Sequence, residues 1–420
     1  MELSDFGKKF TERSGILDLM DDLSLALQGA EKKYMLGGGN PAHIPEVQRV
    51  FRKRMEELLR APGALEAMLG NYDSSTANAS FAEALASLLK EQFGWPIGPE
   101  NISVTNGSQT AFFLLFNLFG GRAGGGNGSK VRKIVFPLCP EYIGYADQGI
   151  DPDQFVSFPS RIEETGNGFF KYRVDFGRLE IPQDAAALCV SRPTNPTGNV
   201  LTDEEVRALA KLAAGRGIPL FLDNAYGLPF PKIIFEEVHP YWDENVVFSM
   251  SLSKLGLPST RTGILIARKE IVRAVSAANA IANLANGGIG QILVTPLIRS
   301  GEILRISEKF IYPFYKHRSS RAIQWIHETF PDHLEYRIHR SEGAIFLWIW
   351  FKNLRITAKE LYEKLKQRHV IVVPGEYFFF GLEEPWEHST QCIRLNYSGP
   401  EEDVKRGIEI IAEVAGEHTL

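Results

Sequence analysis

The sequence predicts an α/β fold, with a large domain built on a mostly parallel sheet flanked by helices and a smaller α+β domain beside it. Three observations carry that expectation. Apolar runs of strand length recur at residues 133–137, 187–191, 218–223, 246–250 and 263–267, with polar or amphipathic helical stretches between several of them. Runs that are apolar on both faces suit a parallel sheet covered on both sides. From about Gln291 the texture changes to a charge-rich helical segment through Phe330, then to strand-like runs at 344–351, 370–373 and 392–397. Finally, 420 residues exceed one ordinary compact core. The large domain is expected at 51–295. Residues 1–50 are too few for a domain of their own and are expected to pack as an arm with 296–420, the small domain.

Composition excludes more than it assigns. Apolar residues make up 44% and charged residues 23%, as in an ordinary globular protein. A formal charge of −5 offers no basic field for nucleic acid or an anionic membrane, which leaves small solutes as the expected partners. Cys139, Cys189 and Cys392 are odd in number, far apart and without metal-ligand spacing, so neither a disulfide framework nor a metal site is expected. The first fifteen residues carry charges and lack a signal-peptide core, and the longest apolar run, 344–351, is too short to span a bilayer. A cytoplasmic location is expected. The glycine-rich segment 120–130 has Ser129 before Lys130, the reverse of a phosphate loop, and reads as a surface loop.

The densest chemistry lies in Ser249-Met250-Ser251-Leu252-Ser253-Lys254, followed by Arg261 and Gly263, at the end of an apolar run. The hydroxyls of Ser251 and Ser253 and the Arg261 guanidinium suit one phosphate, while Lys254 can reach an aldehyde nearby. An amine is nucleophilic only when deprotonated, a state that burial near other cations favours. Upstream, Leu222-Asp223-Asn224-Ala225-Tyr226 closes the run 218–223. Asp223 is either a strand-end cap or the partner of a ring nitrogen, and a carboxylate there keeps such a ring protonated and electron-withdrawing. Tyr226 stands three residues on, within reach of an oxygen on the same ring. The turn Pro193-Thr194-Asn195-Pro196-Thr197-Gly198 can aim the Asn195 amide. Thr105-Asn106-Gly107-Ser108-Gln109 leads into an apolar helix near Thr110, so its N–H groups form either a common amino cap or an anion site.

In this order, these blocks resemble the fold-type I aminotransferases that use pyridoxal phosphate, and the likeness covers nearly the whole chain. The resemblance implies a Schiff base on Lys254, with Asp223 at the pyridine nitrogen and Tyr226 and Asn195 on the ring oxygen. It implies phosphate held by Ser108, Gln109, Ser251, Ser253 and Arg261, and Tyr142 of Pro140-Glu141-Tyr142 stacked on the ring. Arg394, in Cys392-Ile393-Arg394-Leu395-Asn396-Tyr397, would bind the substrate α-carboxylate as a two-pronged guanidinium, with Gly39 and Asn195 beside it. Tyr72 would enter the phosphate site of a partner subunit, which implies a homodimer with shared active sites. Here the chain departs from many relatives, with Ala77 where they carry glycine five residues after that tyrosine.

Finer blocks narrow the resemblance to the bacterial valine–pyruvate branch of that family. They are Gly37-Gly38-Gly39-Asn40-Pro41-Ala42, Pro140-Glu141-Tyr142-Ile143-Gly144-Tyr145, Ser251 to Pro258, and Glu342-Gly343-Ala344-Ile345-Phe346-Leu347-Trp348. The implied reaction is ping-pong transamination between L-valine and pyruvate, with Lys254 moving the α-proton. Three rivals remain at this level. They are another amino-acid specificity, a transcription regulator carrying this fold behind a DNA-binding module, and a binding fold without activity. The fifty residues ahead of the large domain are too few and too little basic for the regulator.

Overall fold

The computed structural model describes residues 2–12, 14–28, 32–124 and 130–420. Its larger sheet has eight strands, in the order Ile102–Asn106, Thr262–Ile266, Val246–Ser251, Leu220–Asp223, Ala185–Ser191, Lys130–Cys139 and Gly121–Ala123, with Phe155–Pro159 also pairing to Lys130–Cys139. Val246–Ser251, Leu220–Asp223, Ala185–Ser191, Lys130–Cys139 and Phe155–Pro159 run parallel, while Thr262–Ile266 is antiparallel to both its neighbours. The sheet is therefore mostly parallel, and it contains the five apolar runs picked out above.

Its two faces are buried by different sets of side chains. Ala187, Cys189, Phe221 and Val247 pack with Phe112, Phe116, Ile271 and Val275, from helices Ser108–Phe119 and Lys269–Asn283. Their neighbours Leu188, Val190, Leu220, Leu222 and Phe248 join the opposite core with Phe81, Leu85, Val206 and Leu209, from helices Ala79–Phe93 and Asp203–Gly215. Period-two alternation thus supplies both faces of one strand with apolar groups, so no polar face shows in the sequence.

The second sheet has six strands, in the order Val373–Pro374, Cys392–Asn396, Phe346–Phe351, Tyr336–His339, Phe169–Arg173 and Arg161–Gly166. Its last two strands form a hairpin that lies within the range 51–295, yet pairs in parallel with Tyr336–His339. The hairpin leaves the first sheet's part of the chain to complete the other sheet. Tyr34–Met35 pairs with Val370–Ile371, so the amino-terminal arm also packs on this unit. The arm touches the first unit too, through Lys9 on the carbonyl of Asp151 and the Phe10 ring against Phe113. Residues 125–129 of the glycine-rich loop lie outside the described residues; the flanking Gly121–Ala123 and Lys130–Cys139 pair antiparallel. Among the described residues no helix is long and apolar enough to cross a membrane, and no cluster of possible metal ligands occurs.

Candidate active site

Parallel strands place ligands beyond their carboxyl ends, and there Ser191, Asp223 and Ser249 stand directly opposite one another on adjacent strands. Asp223 is buried. Its Oδ1 accepts from Ser249 Oγ at 2.8 Å and from the Ala225 N–H at 3.0 Å, and its Oδ2 accepts from the Tyr145 hydroxyl. Burial raises its pKa, against the pull of those donors and of Lys254. Neither Tyr145 nor Ser249 was singled out from sequence, because only strand register and the packing of the short helix Ile143–Tyr145 bring them to Asp223.

Lys254 follows Val246–Ser251 and is partly buried. Its Nζ donates to the Gly39 carbonyl at 2.7 Å and lies 5.4 Å from the centre of the Tyr226 ring. Burial, then Arg394 and Arg261, lowers the ammonium pKa to about 8, with Asp223 acting in the opposite sense. Arg394, Asp223 and Arg261 therefore all bear on one amine.

The Arg261 side is a cradle of backbone. Gly107, at φ +89°, caps helix Ser108–Phe119 with no side chain of its own, and a Cβ there would collide with the Arg261 guanidinium. A Cβ on Gly263 would collide with the Ser108 N–H, so strand Thr262–Ile266 passes hard against the helix start. Arg261 itself holds φ +45°, a conformation costly to any side-chain-bearing residue. The result is a bare helix amino terminus with a cation beside it, which is anion-binding chemistry. Ser251 Oγ accepts from the Ser253 N–H at 3.0 Å, and Ser108 Oγ donates to the Met250 carbonyl at 3.3 Å. The Gln109 amide donates to the Gly144 carbonyl at 2.8 Å, so it also braces the segment that carries Tyr142. The Tyr142 ring lies against Gly144, where any Cβ would overlap it, and edge-on to Tyr145 at 5.1 Å.

Arg394 lies on strand Cys392–Asn396 of the second sheet. It is 2% exposed, yet its Nη1 donates to Asn195 Oδ1 at 2.7 Å and its Nη2 to the Gly37 carbonyl at 2.6 Å. The guanidinium lies 4.1 Å from the centre of the Phe346 ring and 5.3 Å from that of Phe378. Burial lowers its pKa to about 10, so it stays cationic at neutral pH, and its Nε has no partner. An orphaned buried N–H on a cation calls for an anion. Asn195, expected on a ring oxygen, spends its carbonyl oxygen on Arg394 and keeps its NH2 for other use. Gly39 presents its carbonyl to Lys254. Tyr72 does not join this group: it is 85% exposed.

A second buried carboxyl escaped the sequence reading. Glu141 is fully buried and accepts from the Ser191 N–H at 2.9 Å, from the Ser191 hydroxyl at 2.5 Å and from the Tyr142 N–H at 2.8 Å. Burial pushes its pKa up to about 8. It ties the Tyr142 segment to the strand beside Asp223.

Known proteins resemble this chain in sequence and in fold. Residues 154–411 match the family described as aminotransferase class I and II. The chain is 50% identical over 413 residues to the valine–pyruvate aminotransferase of Escherichia coli K12, covering 98% of each chain. Among solved structures, a putative amino-acid aminotransferase from Psychrobacter arcticum 273-4 superposes with a TM-score of 0.96 at 43% identity, covering 100% of this chain and 99% of that one. The valine–pyruvate aminotransferase of Salmonella typhimurium LT2 superposes with a TM-score of 0.88 at 47% identity, covering 96% and 99%.

Proposed function

Because the chain belongs to the class I and II aminotransferases, we propose that it catalyses L-valine + pyruvate = 3-methyl-2-oxobutanoate + L-alanine by a ping-pong route. One observation supports it above the others: the Lys254 amine, held on the Gly39 carbonyl at 2.7 Å and over the Tyr226 ring, feels the charges of buried Asp223, Arg394 and Arg261 together. The choice of valine and pyruvate rests on the 50% likeness to the Escherichia coli enzyme across the whole chain.

Pyridoxal 5'-phosphate is the cofactor, and when bound it supplies a protonated ring that delocalises the carbanion left at the substrate Cα. The donor set fits it. The bare helix start with Ser108 and Gln109, together with Ser251, Ser253 and Arg261, would hold the phosphate. Asp223, buried among three donors, would face the pyridine nitrogen. The Tyr226 hydroxyl and the free NH2 of Asn195 would reach the ring oxygen, and the Tyr142 ring would cover one face. On the substrate side, Arg394 takes the α-carboxylate in both half-reactions, beside Gly39 and Asn195. The Lys254 amine would take the proton from the substrate Cα and deliver it to the carbon on the far side of the substrate nitrogen, a role that its lowered pKa favours.

Each methylene in an aliphatic pocket is worth only about 1–3 kcal/mol, and valine exceeds alanine by two, so one site can serve both while holding valine more tightly. Amino-acid biosynthesis in the cytoplasm is the setting this reaction suits. A homodimer completes the reading, with the exposed Tyr72 reaching the phosphate site of a second copy. The test is a donor panel with pyruvate as acceptor, following alanine formation. Valine should rank among the best donors; valine among the worst would transfer the assignment to another aminotransferase specificity.

A further inference from the structure

One buried ion pair lies outside the site as described, and it joins two pieces of chain that the sequence keeps far apart. Lys171, on the hairpin strand Phe169–Arg173, and Glu342, just after strand Tyr336–His339, are 3% and 2% exposed. Lys171 Nζ donates to Glu342 Oε2, to the Val200 carbonyl at 2.9 Å and to Asn199 Oδ1 at 3.2 Å. Glu342 Oε2 also accepts from the Val200 N–H at 2.9 Å. Both ends of the pair therefore close on residues 199–200.

Those residues end the turn that carries Asn195. The Thr194 N–H donates to the Asn199 carbonyl and the Gly198 N–H to the Thr194 carbonyl, each at 2.8 Å. Gly198, at φ +72°, lies so close that a Cβ would stand 2.7 Å from the Gly343 carbonyl, and Gly343 packs in turn on Pro193. Glu342-Gly343 is thus wedged along the turn while Lys171 grips its far end. The turn's one side-chain product in the site is the Asn195 oxygen on Arg394 Nη1.

We infer that Lys171 and Glu342 are positioning residues for the substrate carboxylate: the pair fixes the Asn195 turn, and the turn holds the Arg394 guanidinium in its two-pronged pose. This inference rests on the aminotransferase reading above. A buried ion pair is a poor source of stability, and replacing both partners by neutral groups costs little, whereas removing one leaves a stranded charge. What the pair supplies is a fixed geometry, and small misplacements of a binding group are expensive.

The deciding variant is therefore the double substitution Lys171→Met with Glu342→Gln. It removes both charges together, keeps an acceptor for the Val200 N–H, and drops the Lys171 hydrogen bonds to Asn199 and Val200. Two readouts apply. The first is the KM of the amino donor against kcat. The second is the affinity for 3-methylbutanoate, which has the carboxylate and side chain of valine but no amine, followed by tryptophan fluorescence with Trp348 opposite Arg394 on the neighbouring strand. The expected result is a rise of about 10- to 100-fold in KM and a parallel weakening of 3-methylbutanoate. kcat at saturation and the cofactor absorption spectrum should stay within a factor of about three, because neither residue touches Lys254 or Asp223. Wild-type KM and wild-type 3-methylbutanoate affinity in the double variant would overturn the inference, whatever its melting temperature. Failure of the valine reading appears separately, as a wild-type enzyme that neither turns over valine nor binds 3-methylbutanoate. The KM ratio is then measured with the best donor of the panel and still decides Lys171.

Discussion

At the carboxyl ends of the large sheet, Ser191, Asp223 and Ser249 sit opposite one another on adjacent strands, and the groups around Asp223 come from segments that β-pairing itself brings together. The Arg394 corner has no such frame. Its guanidinium is on the second sheet, its Asn195 acceptor is 199 residues away in a turn of the first unit, and its Gly37 acceptor is 357 residues away in the amino-terminal arm. The first region is rigid because a ladder of backbone hydrogen bonds sets it. The second is rigid only as long as separate pieces are clamped together. In the proposed function the substrate carboxylate binds at the second, and Asp223 serves the cofactor at the first. Lys254 lies between them, with its amine on the arm's Gly39 carbonyl and its backbone at the end of the first sheet.

That contrast makes Lys254 the most sensitive position. Lys254→Ala removes the amine that both regions face, and turnover should fall by about 10²- to 10⁴-fold or more, with loss of the lysine-linked cofactor absorption band. Turnover unchanged in that variant would end the assignment. In the wild type, the lowered pKa has a direct readout. Only the neutral amine attacks an aldehyde, so capture of pyridoxal phosphate by the apoprotein should quicken as pH rises and level off above about 8. A midpoint near the ordinary lysine value of about 10.4 would mean that burial and the two arginines do not reach the amine.

The next two substitutions separate the regions. Asp223→Asn keeps the shape of the side chain and removes its charge. Loss of a charged hydrogen bond at the upper end of the usual 1.5–3 kcal/mol predicts a kcat about a hundredfold lower, with KM little changed. Arg394→Lys keeps the charge and loses the fork. At about 2 kcal/mol for the lost prong, KM for the amino donor should rise about thirtyfold with kcat less affected. Steady-state kinetics on both variants checks the division, and a KM effect from Asp223→Asn as large as that from Arg394→Lys would erase it.

The same contrast explains what could be read in the sequence. Strands 185–191, 220–223 and 246–251 are apolar runs ending in polar residues, so both the sheet and the place of Asp223 and Lys254 follow from pattern. The hairpin 161–173 lies within the range expected for the large domain, yet its partner Tyr336–His339 is in another part of the chain, and hydrophobic pattern does not encode a long-range pairing. Tyr145 and Glu141 stand in quoted motifs without a role for a related reason. A buried tyrosine and a buried glutamate look like surface or core residues until the strand carrying Asp223 or Ser191 is placed beside them. Lys171 in Phe169-Phe170-Lys171-Tyr172 offered one signal, a charge inside an aromatic strand-like run, which is costly to bury unless something pairs with it.

The smallest expected effect tests how far the rigid region depends on one of its supports. Tyr145 donates to Asp223 Oδ2 while Ser249 and the Ala225 N–H hold Oδ1, so Tyr145→Phe removes one donor of three and leaves the ring packed on Phe112 at 4.8 Å. Each donor to the carboxylate lowers its pKa, against the rise caused by burial. Taking one away must therefore move that pKa up, and Asp223 is then protonated at a higher pH than before. The acid limb of the kcat profile should shift upward by about one pH unit, which corresponds to a charged hydrogen bond of about 1.5 kcal/mol. At neutral pH the loss should stay within about tenfold. A downward shift would mean that the tyrosine opposes the charge on Asp223. No shift, with kcat lowered equally at every pH, would mean that Tyr145 acts on the position of the strand end and not on its charge.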